Sequence, residues 1–379
     1  MTRDLLSYTF RLFFLLTGVS AIGLVLLWTL SLNGQITLST GITPLYWHSH
    51  EMIVGFGMAT VTGFALSAVA TWTGRPAVHG SVVFWLVVCW VAGRIAVFYS
   101  NLVTPAGLIV LDMLFPAFLT MLFAREVFVA RNKRNYKVVA IILVLCMLNL
   151  GFYTVDARQS LYLMIHTLLL LVVLIGGRIV PSFTSNWLRG RGESQLPVNN
   201  LLLDRVAITL TILTGLSDAL VPNRTPTGWL AIAAAIAHAA RIMQWHGLRT
   251  LSNPLLAILH VAYWWIPVGY AMLGLASLGL FLTPTAALHA LTMGAIGTMV
   301  FAMITRVPLG HTARPLNASR LTVVAYGILT LAIVARIMSP LATANYITMI
   351  NVAAIGWCFA FLIYIWVYWP VLTGPPGSP

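Results

Sequence analysis

Apolar runs of about twenty residues, each long enough to cross a bilayer core of roughly 30 Å, recur along this sequence from residue 12 to residue 369. A soluble domain carries about 25% charged residues; this chain carries 8%, with 60% hydrophobic residues. The runs are spread too evenly for a single anchor beside a soluble domain. They predict an all-α integral membrane protein, a single polytopic transmembrane domain over residues 1–379.

Twelve transmembrane helices are expected, at about 12–32, 48–71, 79–100, 105–128, 137–154, 160–180, 204–221, 227–246, 255–276, 285–306, 320–338 and 346–369. Turn chemistry separates them: Asn33-Gly34, Thr43-Pro44, Thr73-Gly74-Arg75-Pro76, Val221-Pro222-Asn223 and Thr283-Pro284. The longest linker, about 181–203, is polar, and the Pro/Gly tail after Trp369 is expected to be disordered. With the amino terminus in the cytoplasm, basic residues divide 17 to 4 in favour of that side, the minority being Arg94, Arg158, Arg224 and Arg336. The positive-inside rule therefore expects both termini, and Arg3 with them, to be cytoplasmic. The net charge of +13 is read as this topology signal rather than as nucleic-acid binding. The three cysteines each lie inside an apolar run and form no CxxC, which disfavours disulfide and iron–sulfur frameworks.

A pseudo-threefold repeat of four-helix units, about 1–132, 133–252 and 253–379, is suggested by His48, His166 and His289 early in helices 2, 6 and 10. Gly93-Arg94-Ile95 and Ala335-Arg336-Ile337 correspond in helices 3 and 11, whereas Asp218 stands where the middle unit should hold an arginine. Chance similarity among apolar helices is the competing explanation.

Histidine inside a membrane span is costly and marks a functional candidate. His48, His50, His166 and His289 all fall near the start of a span that begins on the same side of the membrane. They are expected to bind metal, against the plainer alternative of interfacial rings that snorkel. On a helix His48 and Met52 share a face while His50 points elsewhere, so the two histidines can serve different sites. His289 and Met293 repeat the i,i+4 spacing, with Met293 either a ligand or a gap filler. Glu51 is the candidate catalytic residue, able to orient a histidine or relay a proton. Arg94 and Arg336 lie within their helices and need anions. Asp112, Asp218 or Glu51, a carboxylate-bearing ligand such as a haem with two propionates, or lipid headgroups would each serve. His238 and His260, at similar depth in helices 8 and 9, form either a second metal pair or an interhelical hydrogen bond.

Several segments together resemble the NnrS family: Phe10-Arg11-Leu12-Phe13-Phe14-Leu15, Trp47-His48-Ser49-His50-Glu51-Met52, Gly55-Phe56, Gly63-Phe64 and Trp72-Thr73-Gly74-Arg75-Pro76. Gly93-Arg94, Gly176-Gly177-Arg178, Pro181-Ser182-Phe183-Thr184 and His289-Ala290-Leu291-Thr292-Met293-Gly294 through Arg306 extend the likeness over nearly the whole chain. The resemblance implies a bacterial twelve-helix protein of the inner membrane that contains haem, of b type, and copper, and acts in the response to nitric oxide and resistance to nitrosative stress. His48, His50, His166, His289, Arg94 and Arg336 are the expected cofactor-binding residues, a set read from their own positions in the spans and not carried over from the family. The leading expectation is a protein that binds nitric oxide and reduces it as an oxidoreductase, with an electron donor as partner. A secondary transporter of a metal or small molecule and a non-catalytic haem-based sensor are the alternatives. Against a transporter, no span is interrupted at its middle except for Pro267 in helix 9.

Overall fold

The computed structural model describes residues 5–222 and 224–375. Arg3, Asn223 and the end of the tail, 376–379, lie outside them. The described chain is helical: α1 Thr9–Leu32, α2 Pro44–Thr73, α3 Ser81–Phe98, α4 Pro105–Val129, α5 Tyr136–Thr154, α6 Ala157–Gly190, α7 Leu201–Leu220, α8 Thr225–Met243, α9 Pro254–Ser277, α10 Pro284–His311, α11 Arg320–Met338 and α12 Tyr346–Thr373. Ten of these, α1–α6 and α9–α12, are long and apolar enough to cross a membrane, which makes the chain a multi-pass membrane protein. The other two expected spans are present as the helices α7 and α8, but α7 carries Asp204, Arg205 and Asp218 and α8 carries His238 and Arg241. Their polar content keeps both below the apolarity of the other ten.

Local sequence sets many of the boundaries. Proline opens α2, α4, α9 and α10, where its missing N–H is one of those a helix start leaves unpaired anyway. The hydroxyls of Thr104 and Thr283 cap α4 and α10 by accepting from Gly107 and Ala286 N–H, each at 3.2 Å. Gly74, at φ +69°, ends α2 in the left-handed region that glycine enters without strain.

Three expectations need correction. Helix α6 runs through Pro181 to Gly190, so the polar linker is shorter than 181–203. One proline removes one N–H from the ladder, and in a membrane the surrounding helices can re-satisfy the freed carbonyl. Helix α12 extends through Pro370 to Thr373, so the tail is ordered four residues past Trp369. Finally, α9 passes Pro267 without interruption. The irregular segments are π-helical instead: Glu51–Gly57 in α2 and Ala290–Gly297 in α10. Each begins just after a histidine and ends on a glycine.

Two compact units make up the chain. Unit 1 comprises residues 1–164, 307–315 and 358–379; unit 2 comprises 165–306 and 316–357. In unit 1 the fully buried Phe10, Phe13 and Phe14 of α1 line a core with Phe115 of α4. A Cβ at Gly63 would lie 2.8 Å from the Phe14 ring, so α1 and α2 meet at a distance that needs glycine. Arg11, also buried, donates to the carbonyls of Leu372 (2.9 Å) and Gly374 (2.6 Å). In unit 2 α8 and α9 meet through Gly228 and Gly274, whose missing side chains let the backbones touch.

Candidate functional site

The π-helical turn of α2 organises a polar cluster in unit 1. In a regular α-helix, adjacent side chains diverge by about 100°. Here His50 and Glu51 converge, with His50 Nδ1 3.2 Å from Glu51 Oε1. The irregular turn is braced by Trp90, whose indole donates to the Gly55 carbonyl at 3.1 Å. Arg94 of α3 reaches in with Nη1 2.6 Å from Glu51 Oε1, and its Nη2 bonds Asp112 Oδ1 of α4. Gly93 permits this, because a Cβ there would press on Asp112 Oδ1 at 3.2 Å. From α5, Asn149 donates to Asp112 Oδ2 (2.8 Å) and Tyr153 OH to the same oxygen (3.0 Å). His50 Nε2 lies 2.9 Å from Asn149 Oδ1 and 3.2 Å from Asp112 Oδ2. His50, Glu51, Asp112 and Asn149 are all buried.

Two sequence expectations meet this geometry, a metal on His50 and a haem propionate on Arg94. Both ring nitrogens of His50 face oxygen acceptors and serve as donors, which leaves no lone pair for a metal. A doubly protonated His50 also balances the charge, since it and Arg94 then offset Glu51 and Asp112. Arg94 has its anions within the protein, two carboxylates, so the motive for assigning it a haem propionate is gone. Asp112 and Glu51 were among the partners the sequence offered. Asn149 and Tyr153 were missed, although a lone asparagine in an apolar span is a signal of the same kind as Asp112.

His48 does not join this cluster. Its half-buried ring stacks on Trp28 of α1 at 4.6 Å between centroids and 11° between planes. His48 and His50 therefore occupy different surroundings within unit 1.

In unit 2, His166 on α6 is buried and its Nε2 lies 3.0 Å from Asp218 Oδ2 on α7. The approach requires Gly215, where a Cβ would fall 2.6 Å from the His166 Cβ. With Nε2–H donated to the carboxylate, Nδ1 carries a lone pair; it is buried and has no hydrogen-bond partner among the described residues. His289, half-buried at the end of the first segment of α10, has Nδ1 donating to the Thr285 carbonyl at 2.8 Å. Arg336 donates to Ser339 Oγ (3.0 Å) and makes no ion pair among the described residues.

His238 and His260 belong to separate hydrogen-bond sets. Arg241 donates to Tyr263 OH (2.5 Å), which lies 3.1 Å from His238 Nδ1; His238 Nε2 lies 2.9 Å from Thr211 Oγ1. The Thr211 hydroxyl is already donated to the Ala207 carbonyl, so His238 Nε2 is the donor and Nδ1 accepts from Tyr263. No lone pair remains on that ring. His260 Nε2 donates to Thr184 Oγ1 at 2.9 Å, since that hydroxyl is given to the Val180 carbonyl, and its Nδ1, packed against Gly247, is buried without a hydrogen-bond partner among the described residues.

No group of three or more His, Cys, Asp and Glu side chains is set to hold a metal ion among the described residues. A copper centre built from three such ligands is therefore not assembled there. A haem needs one or two axial histidines; His166 and His260 each have Nε2 anchored and Nδ1 buried without a hydrogen-bond partner among the described residues, and His289 has Nδ1 anchored on the Thr285 carbonyl. The donor set of these imidazoles fits that role, and His50, with both ring nitrogens on oxygen acceptors, does not.

The family model described as NnrS protein matches residues 4–375, nearly the whole chain. No curated protein matches it.

Proposed function

This chain belongs to the NnrS family, which supports a role in the nitric oxide response, and on that premise we propose that it is a haem-binding membrane protein that binds nitric oxide and reduces it. The observation that carries the reading is the His166–Asp218 couple. Metal-ligating histidines almost always give their second N–H to a carboxylate or backbone carbonyl, which fixes the ring and raises its basicity. His166 does this with Asp218 and His289 with the Thr285 carbonyl. His166 and His289 are the residues proposed to hold haem, and Arg336 to pair with one of its carboxylates. His48 is retained as a further ligand candidate on its own face of α2. Copper, also implied by the family, has no three-ligand set in support and no role is built on it.

Bound haem would supply an iron that takes nitric oxide as a ligand and passes electrons to it. Forming N2O and water from two molecules of nitric oxide consumes two electrons and two protons, so an electron donor is a required partner. The chain's own part is to hold the imidazoles in one orientation and to keep the surroundings apolar. Glu51, bonded to His50 and Arg94, is a site where a proton can be exchanged with His50. Residence in a bacterial inner membrane with both termini cytoplasmic completes the proposal, from the distribution of basic residues.

Purified protein should show a haem absorption spectrum, and His166→Ala should lose it while His50→Ala keeps it. Anaerobic consumption of nitric oxide with an electron donor should follow the same pattern. A pigment that binds nitric oxide without consuming it would make the protein a sensor. Colourless protein that takes up no added haem would end the proposal and favour a transporter.

A further inference from the structure

Arg306 lies near the end of α10 opposite to His289 and is buried (9% exposed). Its guanidinium sits 4.3 Å above the ring of Phe183 on α6, and Nη1 has no hydrogen-bond partner among the described residues. A buried guanidinium without a counter-ion is strongly unfavourable, and a cation–π contact does not neutralise it. Unit 2 contains three carboxylates, and each is already engaged: Asp204 with Arg241 (2.6 Å), Asp218 with His166 (3.0 Å) and Glu193 with Arg249 (2.9 Å). The neighbouring Thr305 and Tyr326 hydroxyls bond each other at 2.7 Å and carry no charge to offer.

A second unsatisfied donor lies on the face of α6 that carries Phe183. Trp187 is one helical turn from Phe183, so the two side chains share a face of α6 about 5–6 Å apart. The Trp187 indole N–H is buried and without an acceptor among the described residues. The Arg191 guanidinium lies over the same indole at 5.4 Å. Two unsatisfied buried donors, one of them charged, with a further cation at the rim, specify a ligand that is an acceptor, anionic and rich in oxygen.

We propose that Arg306 and Trp187 form a binding site for a phosphate oxyanion, supplied either by an anionic phospholipid headgroup or by free phosphate. Guanidinium recognises such groups by paired N–H bonds that lysine cannot reproduce. The indole N–H supplies a further bond to the same anion.

The test uses the full chain, purified in detergent and stripped of lipid. Native mass spectrometry counts retained phosphatidylglycerol, and thermal unfolding compares inorganic phosphate with chloride at equal ionic strength. Arg306→Gln should weaken phosphatidylglycerol or phosphate binding at least about tenfold through loss of charge-assisted bonds. Trp187→Phe, which removes the N–H and keeps an aromatic ring, should weaken it about threefold. Arg306→Lys should fall between wild type and Arg306→Gln. Arg249→Gln, at an exposed ion pair, should leave binding unchanged. An effect confined to phosphatidylglycerol assigns the site to lipid, and one seen with inorganic phosphate assigns it to the free anion; either supports the site. If Arg306→Gln does not yield folded protein, the Trp187→Phe and Arg306→Lys variants decide. Binding that is absent in wild type, or equal in wild type and these variants, would overturn the proposal.

Discussion

Units 1 and 2 each bury a histidine against a carboxylate inside the helical bundle, and the two pairs are completed to different degrees. Around His50 stand oxygens of Glu51, Asp112 and Asn149, so both ring nitrogens are used. Around His166 stands one, Asp218 Oδ2, so a lone pair is left over. A histidine in a membrane helix is thus not a ligand by residue type alone. The acceptors around the ring decide whether it is a donor in a closed, charge-balanced network or an oriented base with a free nitrogen. A network of the first kind holds helices together; a couple of the second kind keeps a ring nitrogen that a ligand can use.

The comparison can be broken by substitution. The largest effect is expected at Asp112. Asp112→Ala leaves Arg94 and His50 facing one carboxylate instead of two, and breaking a buried ion pair costs about 3–5 kcal/mol. Asp218→Ala removes one hydrogen bond from a couple that is otherwise incomplete, for about 1–3 kcal/mol. Thermal unfolding in detergent should rank the two in that order, and equal destabilisation would mean that unit 2 is as tightly balanced as unit 1. Glu51→Gln should fall between the two, at about 1.5–3 kcal/mol for a bond to a charged group. It should leave haem content unchanged, because Glu51 serves the closed network; loss of haem would place the cofactor in unit 1. Gly215→Ala should destabilise by about 1–3 kcal/mol through overpacking and displace His166, so haem should fall in this variant. Retained haem with a normal spectrum would remove His166 from the ligand set. The smallest effect is expected at Trp28→Ala, where loss of ring stacking on His48 costs about 0.5–1.5 kcal/mol beyond buried area.

Much of the architecture could be read from the sequence. The turns at Thr43-Pro44 and Thr283-Pro284 do separate helices, although α2 begins at Pro44 rather than at about residue 48. The family likeness read from the Trp47–Met52 segment and its companions holds over residues 4–375. The site was less legible. His50 was expected to bind metal because its neighbours Glu51 and Ser49 say nothing of Asn149, 99 residues away. Asp218 looked like a defect in a repeat, when it is the partner of His166 at a separation of 52 residues. Arg306 read as a topology signal at a helix end, and its isolation emerges once every carboxylate of unit 2 is accounted for.

What the sequence by itself determined is that this chain lives in a membrane as a bundle of helices. Length and apolarity are local properties, and a bilayer about 30 Å thick converts them directly into spans. What only the tertiary structure decided is which polar side chains are satisfied. In a medium with no water, each buried donor or acceptor must find its partner on another helix. Helix contacts, the π-helical turns after His50 and His289, and glycines such as Gly93 and Gly215 set those partners. The same residue types therefore give a sealed charge network in unit 1 and, in unit 2, a histidine nitrogen and an arginine nitrogen without hydrogen-bond partners among the described residues.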